Sequence, residues 1–230
     1  MKLLKNKKRR EVLESSLQQA RKDPGSTKAK ILMVARRIFG DYGFHGTTTR
    51  MIAREVGIDV STLYYHWGEK GDLYEAVVLD INQDLRKKLI ELEGKIRGFP
   101  LGKRMEIAID VMVDYLFSHP EITSVILSRY FLKTRCKTDQ NIQLPEYISN
   151  IAFSMELSKN RKKVPARSKM QVLAILNAIY TFVSGAEFFQ ASLGIERGEY
   201  VSLVKETLRF VLIPAFDKPT SDARGKREEK

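Results

Sequence analysis

The 230-residue chain has little of what small proteins use for covalent or metal-based stability. It has a single cysteine, Cys136, and only three histidines. One cysteine cannot staple a monomer, so the fold does not depend on an oxidising compartment. His45 and His119 have no partners at metal-ligand spacing, so no zinc or other metal set is expected. Proline is scarce, at 7 residues, and sits mostly near segment ends. Acidic residues, at 28, fall short of the 40 lysines and arginines. No apolar run reaches the length of a membrane span. The basic N-terminus leads into the mixed segment Glu11 to Lys22 and not into an apolar stretch, so no secretory signal is read and a cytoplasmic location is expected. There is no Gly-rich phosphate loop and no nucleophile elbow, and the carboxylates form no constellation. Catalytic residues and cofactors are therefore expected to be absent, and the chain is not read as an enzyme.

What is present is helical pattern and positive charge. Apolar residues make up 43% and charged residues 30%, enough to bury a core of ordinary size in a soluble chain. The net charge of +12 favours polyanionic partners, either nucleic acid or an anionic membrane, without choosing between them. Residues 1–25 begin with six basic and no acidic residues in the first ten, then show a weak helical pattern of Val12, Leu13 and Leu17. Two readings stay open for this arm. It is disordered or frayed, or it is a basic arm that touches phosphates or a minor groove.

Asp23-Pro24-Gly25 closes the arm, and Ser26 or Thr27 caps a helix carrying Ile31, Val34, Ile38 and Phe39. Short helical patterns follow over 48–56 and 60–67, split by Gly57. A longer helix opens at Gly71-Asp72 and runs to about Ile96. Further helices are expected over about 103–118, from Pro120 to near Lys133, and from Pro145 to near Arg161, with a polar loop at 134–143. Two closing helices, about 168–193 and 197–213, are apolar around more than one face, and Pro214 is expected to stop the second. Breadth of this kind means burial on several sides. That fits a subunit interface or a fully internal helix.

The informative stretch is Phe44 to Trp67. Thr48 can cap a short helix, whose Ile52 and Val56 face inward while Ala53 permits a close helix crossing. Gly57 suits a left-handed helix end. Ile58 plugs the turn, and Asp59 can cap a second helix with Leu63 and Trp67 on its inner stripe. Two helices joined by a tight Gly-containing turn form a helix-turn-helix. The outer surface would then carry Val60, Ser61, Thr62, Tyr64, Tyr65 and His66, where the second helix meets base edges and phosphates in a major groove. Arg50 has a guanidinium fork able to read guanine, and His66 and Lys70 can donate to phosphates.

These residues resemble the DNA-binding domain of the TetR family of regulators. The resemblance rests on the Phe39-to-Gly43 helix end, Thr48-Thr49-Arg50, Ile52-Ala53, Val56-Gly57-Ile58, Ser61-Thr62-Leu63-Tyr64-Tyr65-His66-Trp67 and Lys70 through Leu73. It covers about residues 27–78, and the rest fits only in length and helicity. It implies an all-α fold with an N-terminal three-helix DNA-binding domain and a larger helical ligand-binding and dimerisation domain. It also implies a homodimer through the two closing helices and DNA contacts at Thr49, Arg50, Val60, Ser61, Thr62, Tyr64, Tyr65, His66 and Lys70, with Thr48 at the same helix start. Val60 departs from the polar residue often found at its position and can offer only apolar contact.

The expected organisation is a basic arm at 1–25, the DNA-binding domain at 26–71, the ligand and dimerisation domain at 72–216 and a polar tail at 217–230. The implied function is a repressor that binds palindromic duplex operator DNA and is released by a small, apolar effector. Met112, Tyr115, Tyr130, Phe153 and Phe188 are candidates to line its cavity, or equally to fill a solid core. The competing reading is an architectural DNA-binding protein without a sensor.

Overall fold

Helical periodicity is realised throughout the described residues of the computed structural model, 2–131 and 146–216. The expected loop at 134–143, with Cys136, the Pro145 helix start and the polar tail at 217–230 lie outside them. In chain order the helices are α1 (Lys2–Lys22), α2 (Thr27–Gly46), α3 (Thr49–Val56), α4 (Val60–Trp67), α5 (Lys70–Ile96), α6 (Leu101–Ser118), α7 (Pro120–Phe131), α8 (Glu146–Ser154), α9 (Ala166–Ser184), α10 (Ala186–Leu193) and α11 (Arg197–Phe216). The fold is all-α, and no strand occurs among the described residues. No single helix among them is long and apolar enough to cross a membrane.

The chain divides into two units: Met1–Ile90 with Ser118–Tyr147, and Glu91–Phe117 with Ile148–Lys230. In the first unit α2 is the central helix and packs against α1, α3, α4 and α7. Its apolar stripe, Ile31, Leu32, Ala35, Ile38 and Phe39, is buried. So are Leu73, Val77, Ile81 and Leu85 of α5, and Ile122 and Val125 of α7. The α2–α7 crossing depends on Gly40: a Cβ there would sit 2.7 Å from the Cβ of Glu121. Phe39 and Phe44 each meet the Tyr74 ring edge-on at 5.0 Å.

The N-terminal arm shows more order in the structure than the frayed reading expects. It is a helix, and its C-terminal half is anchored, with Leu17 and Ala20 buried. Leu13, Leu17 and Ala20 recur at helical spacing, which suffices for a docked helix once a partner face exists. Arg21 adds polar anchorage, donating from Nε to Asp80 Oδ1 at 2.8 Å and from Nη2 to Asp84 Oδ1 at 2.8 Å.

In the second unit the inner faces are Met105, Ile109, Met112, Val113 and Leu116 of α6, Val172, Leu176, Ile179 and Val183 of α9, and Tyr200, Val204 and Leu208 of α11. Two ion pairs tie α6 to α11: Lys205 to Asp114 at 2.6 Å, and Arg209 to Asp110. The segment expected as one helix over 168–193 is two helices, bent by 68° at Gly185. A Cβ at Gly185 would lie 2.7 Å from the Phe189 ring and 3.0 Å from the Thr181 carbonyl oxygen, so a larger residue there would displace the ring from the break. The helix expected to reach Arg161 ends at Ser154. There Glu156 takes the left-handed conformation (φ 61°) and Leu157 N–H returns to the Ala152 carbonyl at 3.0 Å, the hydrogen bonding of a helix C-cap. Pro214 lies within the last turn of α11 and does not end it.

Candidate nucleic-acid interface

The surface is built from the end of α2 onward. Gly43 breaks α2 with φ 65°, and the buried Thr47 hydroxyl donates back to the Gly43 carbonyl at 2.7 Å. Thr48 then caps α3, its hydroxyl accepting from Met51 N–H at 3.2 Å. Ile52 and Ala53 are buried, and Val56 is half-buried. Gly57 takes the expected left-handed conformation (φ 77°, ψ 39°), and Ile58 N–H bonds the Ala53 carbonyl at 3.0 Å, closing the turn. Asp59 holds the cap position of α4, but its carboxylate makes no capping hydrogen bond; its backbone carbonyl accepts from Thr62 and Leu63 instead.

Leu63 and Trp67 anchor α4 inward, and the indole N–H of Trp67 donates to the Lys28 carbonyl at 3.0 Å. This contact fixes the rotation of α4 about its axis. It leaves Ser61 exposed, Tyr64 47% exposed and Tyr65 85% exposed. Large aromatics at such exposure are costly to hydrate and are informative about contacts. Tyr64 Oη lies 3.4 Å from Thr49 Oγ1, joining the exposed faces of α3 and α4. Arg50 and Thr48 are exposed beside them, while Val60, Thr62 and His66 are half-buried. The His66 ring meets Tyr65 edge-on at 5.2 Å. Partial burial, and secondarily the charge of Lys28, lower its pKa, so it is held neutral near pH 7.

Lys70 stands apart from the other expected contacts. Its ammonium donates to the Phe44 carbonyl at 3.0 Å and the Thr47 carbonyl at 2.9 Å, and sits 4.5 Å from the Phe44 ring centroid. It neutralises the carbonyl end of α2 and braces the α2–α3 corner.

The five residues proposed for a ligand cavity are divided between the two units. Tyr130 is exposed on α7 in the first unit. In the second unit Met112 is buried, Tyr115 half-buried, and Phe153 and Phe188 exposed. Of these, Phe153 alone borders the second unit's described cavity, about 580 Å³, together with Ile96, Arg97 and Arg104. Sequence reasoning missed a groove of about 570 Å³ between α1 and α4, lined by Val12, Leu13, Ser16, Tyr64, Tyr65 and His66 among others. The Leu13, Leu17 and Ala20 spacing was the available signal.

The pattern of buried and exposed residues from α2 to the start of α5 coincides with a family match. Residues 31–77 match the model for bacterial regulatory proteins of the tetR family. The chain carries a TetR-family helix-turn-helix domain. The HTH-type transcriptional repressor SCO4008 of Streptomyces coelicolor is 31% identical over 107 residues, 46% of this chain and 51% of the relative. The HTH-type transcriptional regulator UidR of Escherichia coli is 32% identical over 92 residues, 40% of this chain and 42% of the relative. The chain thus matches about half or less of these relatives' lengths. A TetR-like transcriptional regulator from Rhodococcus sp. RHA1 superposes with a TM-score of 0.53 at 17% identity, covering 80% of this chain and 93% of the other, which extends the likeness of fold beyond the TetR-family domain. Helix α1 lies before the first matched residue of that domain.

Proposed function

We propose that the chain is a transcriptional repressor that binds a palindromic operator as a homodimer and is released by a small apolar ligand. The observation that carries the DNA-binding step is the exposed face of α4. Ser61, Tyr64 and Tyr65 project from a short helix whose rotation is fixed by Leu63 and Trp67, with Arg50 and Thr49 alongside. This is the arrangement a recognition helix needs in a major groove. The matched TetR-family domain and the repressor named among its relatives support the regulatory reading. The proposal includes a cytoplasmic location and no catalytic role.

Exposed apolar side chains in the second unit support dimerisation. Phe188 of α10 and Phe210 of α11 are 70% and 79% exposed, and Leu193 and Val211 are exposed near them in sequence. A dimer would set two recognition helices about one DNA turn, roughly 34–36 Å, apart. An effector would need to favour another spacing by only about 1–3 kcal/mol to shift occupancy. The second unit's cavity, bordered by Ile96 and Phe153, is where such a ligand would be sought first.

Selection from random duplex DNA tests the reading. One enriched palindrome is expected, together with a dimer in sedimentation at micromolar concentration. Arg50→Ala and Tyr64→Ala variants that stay folded should each weaken operator binding, by about 1–3 kcal/mol for a base-reading arginine. Enrichment of no sequence, with weak binding to any duplex, would favour an architectural protein; the +12 net charge keeps that reading in view.

A further inference from the structure

The direction of helix α1 is fixed by two sets of contacts along α5. Near its C-terminus, Arg21 reaches Asp80 and Asp84. Nine residues earlier, Val12 shares the α1–α4 groove with Asp72 at the start of α5 and with Tyr64, Tyr65 and His66 of α4. Helix α1 therefore runs parallel to α5, and its N-terminal turns lead toward the start of α5 and the end of the domain where α4 presents its exposed tyrosines. From Val12 back to Lys2 is ten residues, about 15 Å of helix.

The sequence of those turns is suited to a polyanion. Residues 1–10 contain Lys2, Lys5, Lys7, Lys8, Arg9 and Arg10 and no acidic residue. The exposed side of the groove is aromatic and polar, with Tyr65 beside His66.

We propose that the Lys2–Arg10 turns of α1 bind the phosphate backbone of duplex DNA flanking the site held by α4, lengthening each half-site by about four base pairs at 3.4 Å per base. The contact carries no base readout, so it adds affinity and salt dependence without altering which sequence is preferred. This rests on the reading of α4 as a recognition helix. It goes beyond that reading because α1 precedes the matched TetR-family domain.

The test compares the wild-type full chain with a Lys5→Gln/Lys8→Gln/Arg9→Gln variant and with a second variant lacking residues 2–10. Each is titrated by fluorescence anisotropy from 50 to 300 mM salt against a selected duplex and an unrelated one, with far-UV circular dichroism as the folding check. Loss of three phosphate contacts should flatten the slope of log K against log salt by about 2.7, at about 0.9 per phosphate. The ratio of selected to unrelated binding should hold, and the hydroxyl-radical footprint should shorten at its outer edges. Unchanged slope and footprint in both variants, with wild-type binding intact, overturns the proposal while leaving the α4 reading standing. Failure of the wild type to bind either duplex overturns both. If the variants instead lose binding to vesicles rich in anionic lipid while DNA titrations stay unchanged, α1 serves a membrane and the proposal is wrong.

Discussion

Arg36 on α2 donates from Nη1 to Asp80 Oδ2 on α5 at 2.9 Å, inside a largely buried polar cluster. The same guanidinium reaches Asp84 at 2.5 Å, and its Nε donates to Glu121 of α7 at 3.0 Å. Burial opposes the charge of Arg36, but its three carboxylate neighbours outweigh burial and hold its pKa above the ordinary value. One side chain therefore joins α2, α5 and α7. An Arg36→Met variant leaves Asp80 and Glu121 short of a partner and should lose about 3 kcal/mol of stability. Arg21 also pairs with Asp80 and Asp84 but is more exposed, so Arg21→Met should cost about 1 kcal/mol or less. Urea unfolding of the two variants measures the difference, and equal losses would contradict a central role for Arg36.

Lys70 gives a prediction that separates scaffold from interface. Its two carbonyl acceptors lie at the end of α2. Replacing it with Met removes two charge-assisted hydrogen bonds and should lower stability by about 1–3 kcal/mol. The salt dependence of DNA binding should not change. A phosphate-contacting lysine would behave in the opposite way, with stability preserved and the log–log slope reduced by about 0.9.

The helix-turn-helix could be read from the sequence because each of its constraints is local. The left-handed Gly57, the Thr48 cap and the Leu63 and Trp67 stripe each follow from neighbouring residues, and the structure places all of them as expected. Lys70 and Asp59 show the limit of that approach. Their residue types suited a phosphate contact and a cap, but their hydrogen bonds depend on where the end of α2 lies and on a side-chain rotamer. The docking of the arm is not legible in the sequence for a related reason. Its apolar residues are few, and the pairing of Arg21 with Asp80 and Asp84, 59 and 63 positions away, cannot be seen along the chain. The Gly185 bend was hidden by the continuous apolar character on both sides of it.

His66 should make DNA binding depend on pH. Its folded-state pKa lies below the unfolded value, through burial first and Lys28 second. The stability it contributes is therefore present above about pH 6.5 and is lost as the pH falls through its folded pKa. Bound phosphate reverses this bias by favouring the imidazolium, so the complex takes up a proton. Operator affinity should rise as pH falls from 8 to 6, by at most about tenfold for a one-unit rise in pKa on binding. The His66→Gln variant should show a flatter profile in anisotropy titrations at constant ionic strength. If the wild type and variant profiles run parallel, His66 does not contact phosphate.

Phe210 offers the sharpest test of assembly. It is 79% exposed on α11, next to the exposed Val211, while Val204 and Leu208 of the same helix are buried against the second unit. A helix apolar on its outer as well as its inner face is covered on both sides when two copies meet there. A phenylalanine at the centre of such an interface is expected to contribute at least 2 kcal/mol, so Phe210→Glu should weaken the dimer by about 30-fold or more. Sedimentation at micromolar concentration should then show a shift toward monomer with helicity retained. Because two linked half-sites are needed to read a palindrome, the same variant should lose its preference for the selected duplex while keeping weak, salt-sensitive binding to unrelated DNA. A variant that remains fully dimeric would place the subunit contact elsewhere than α11.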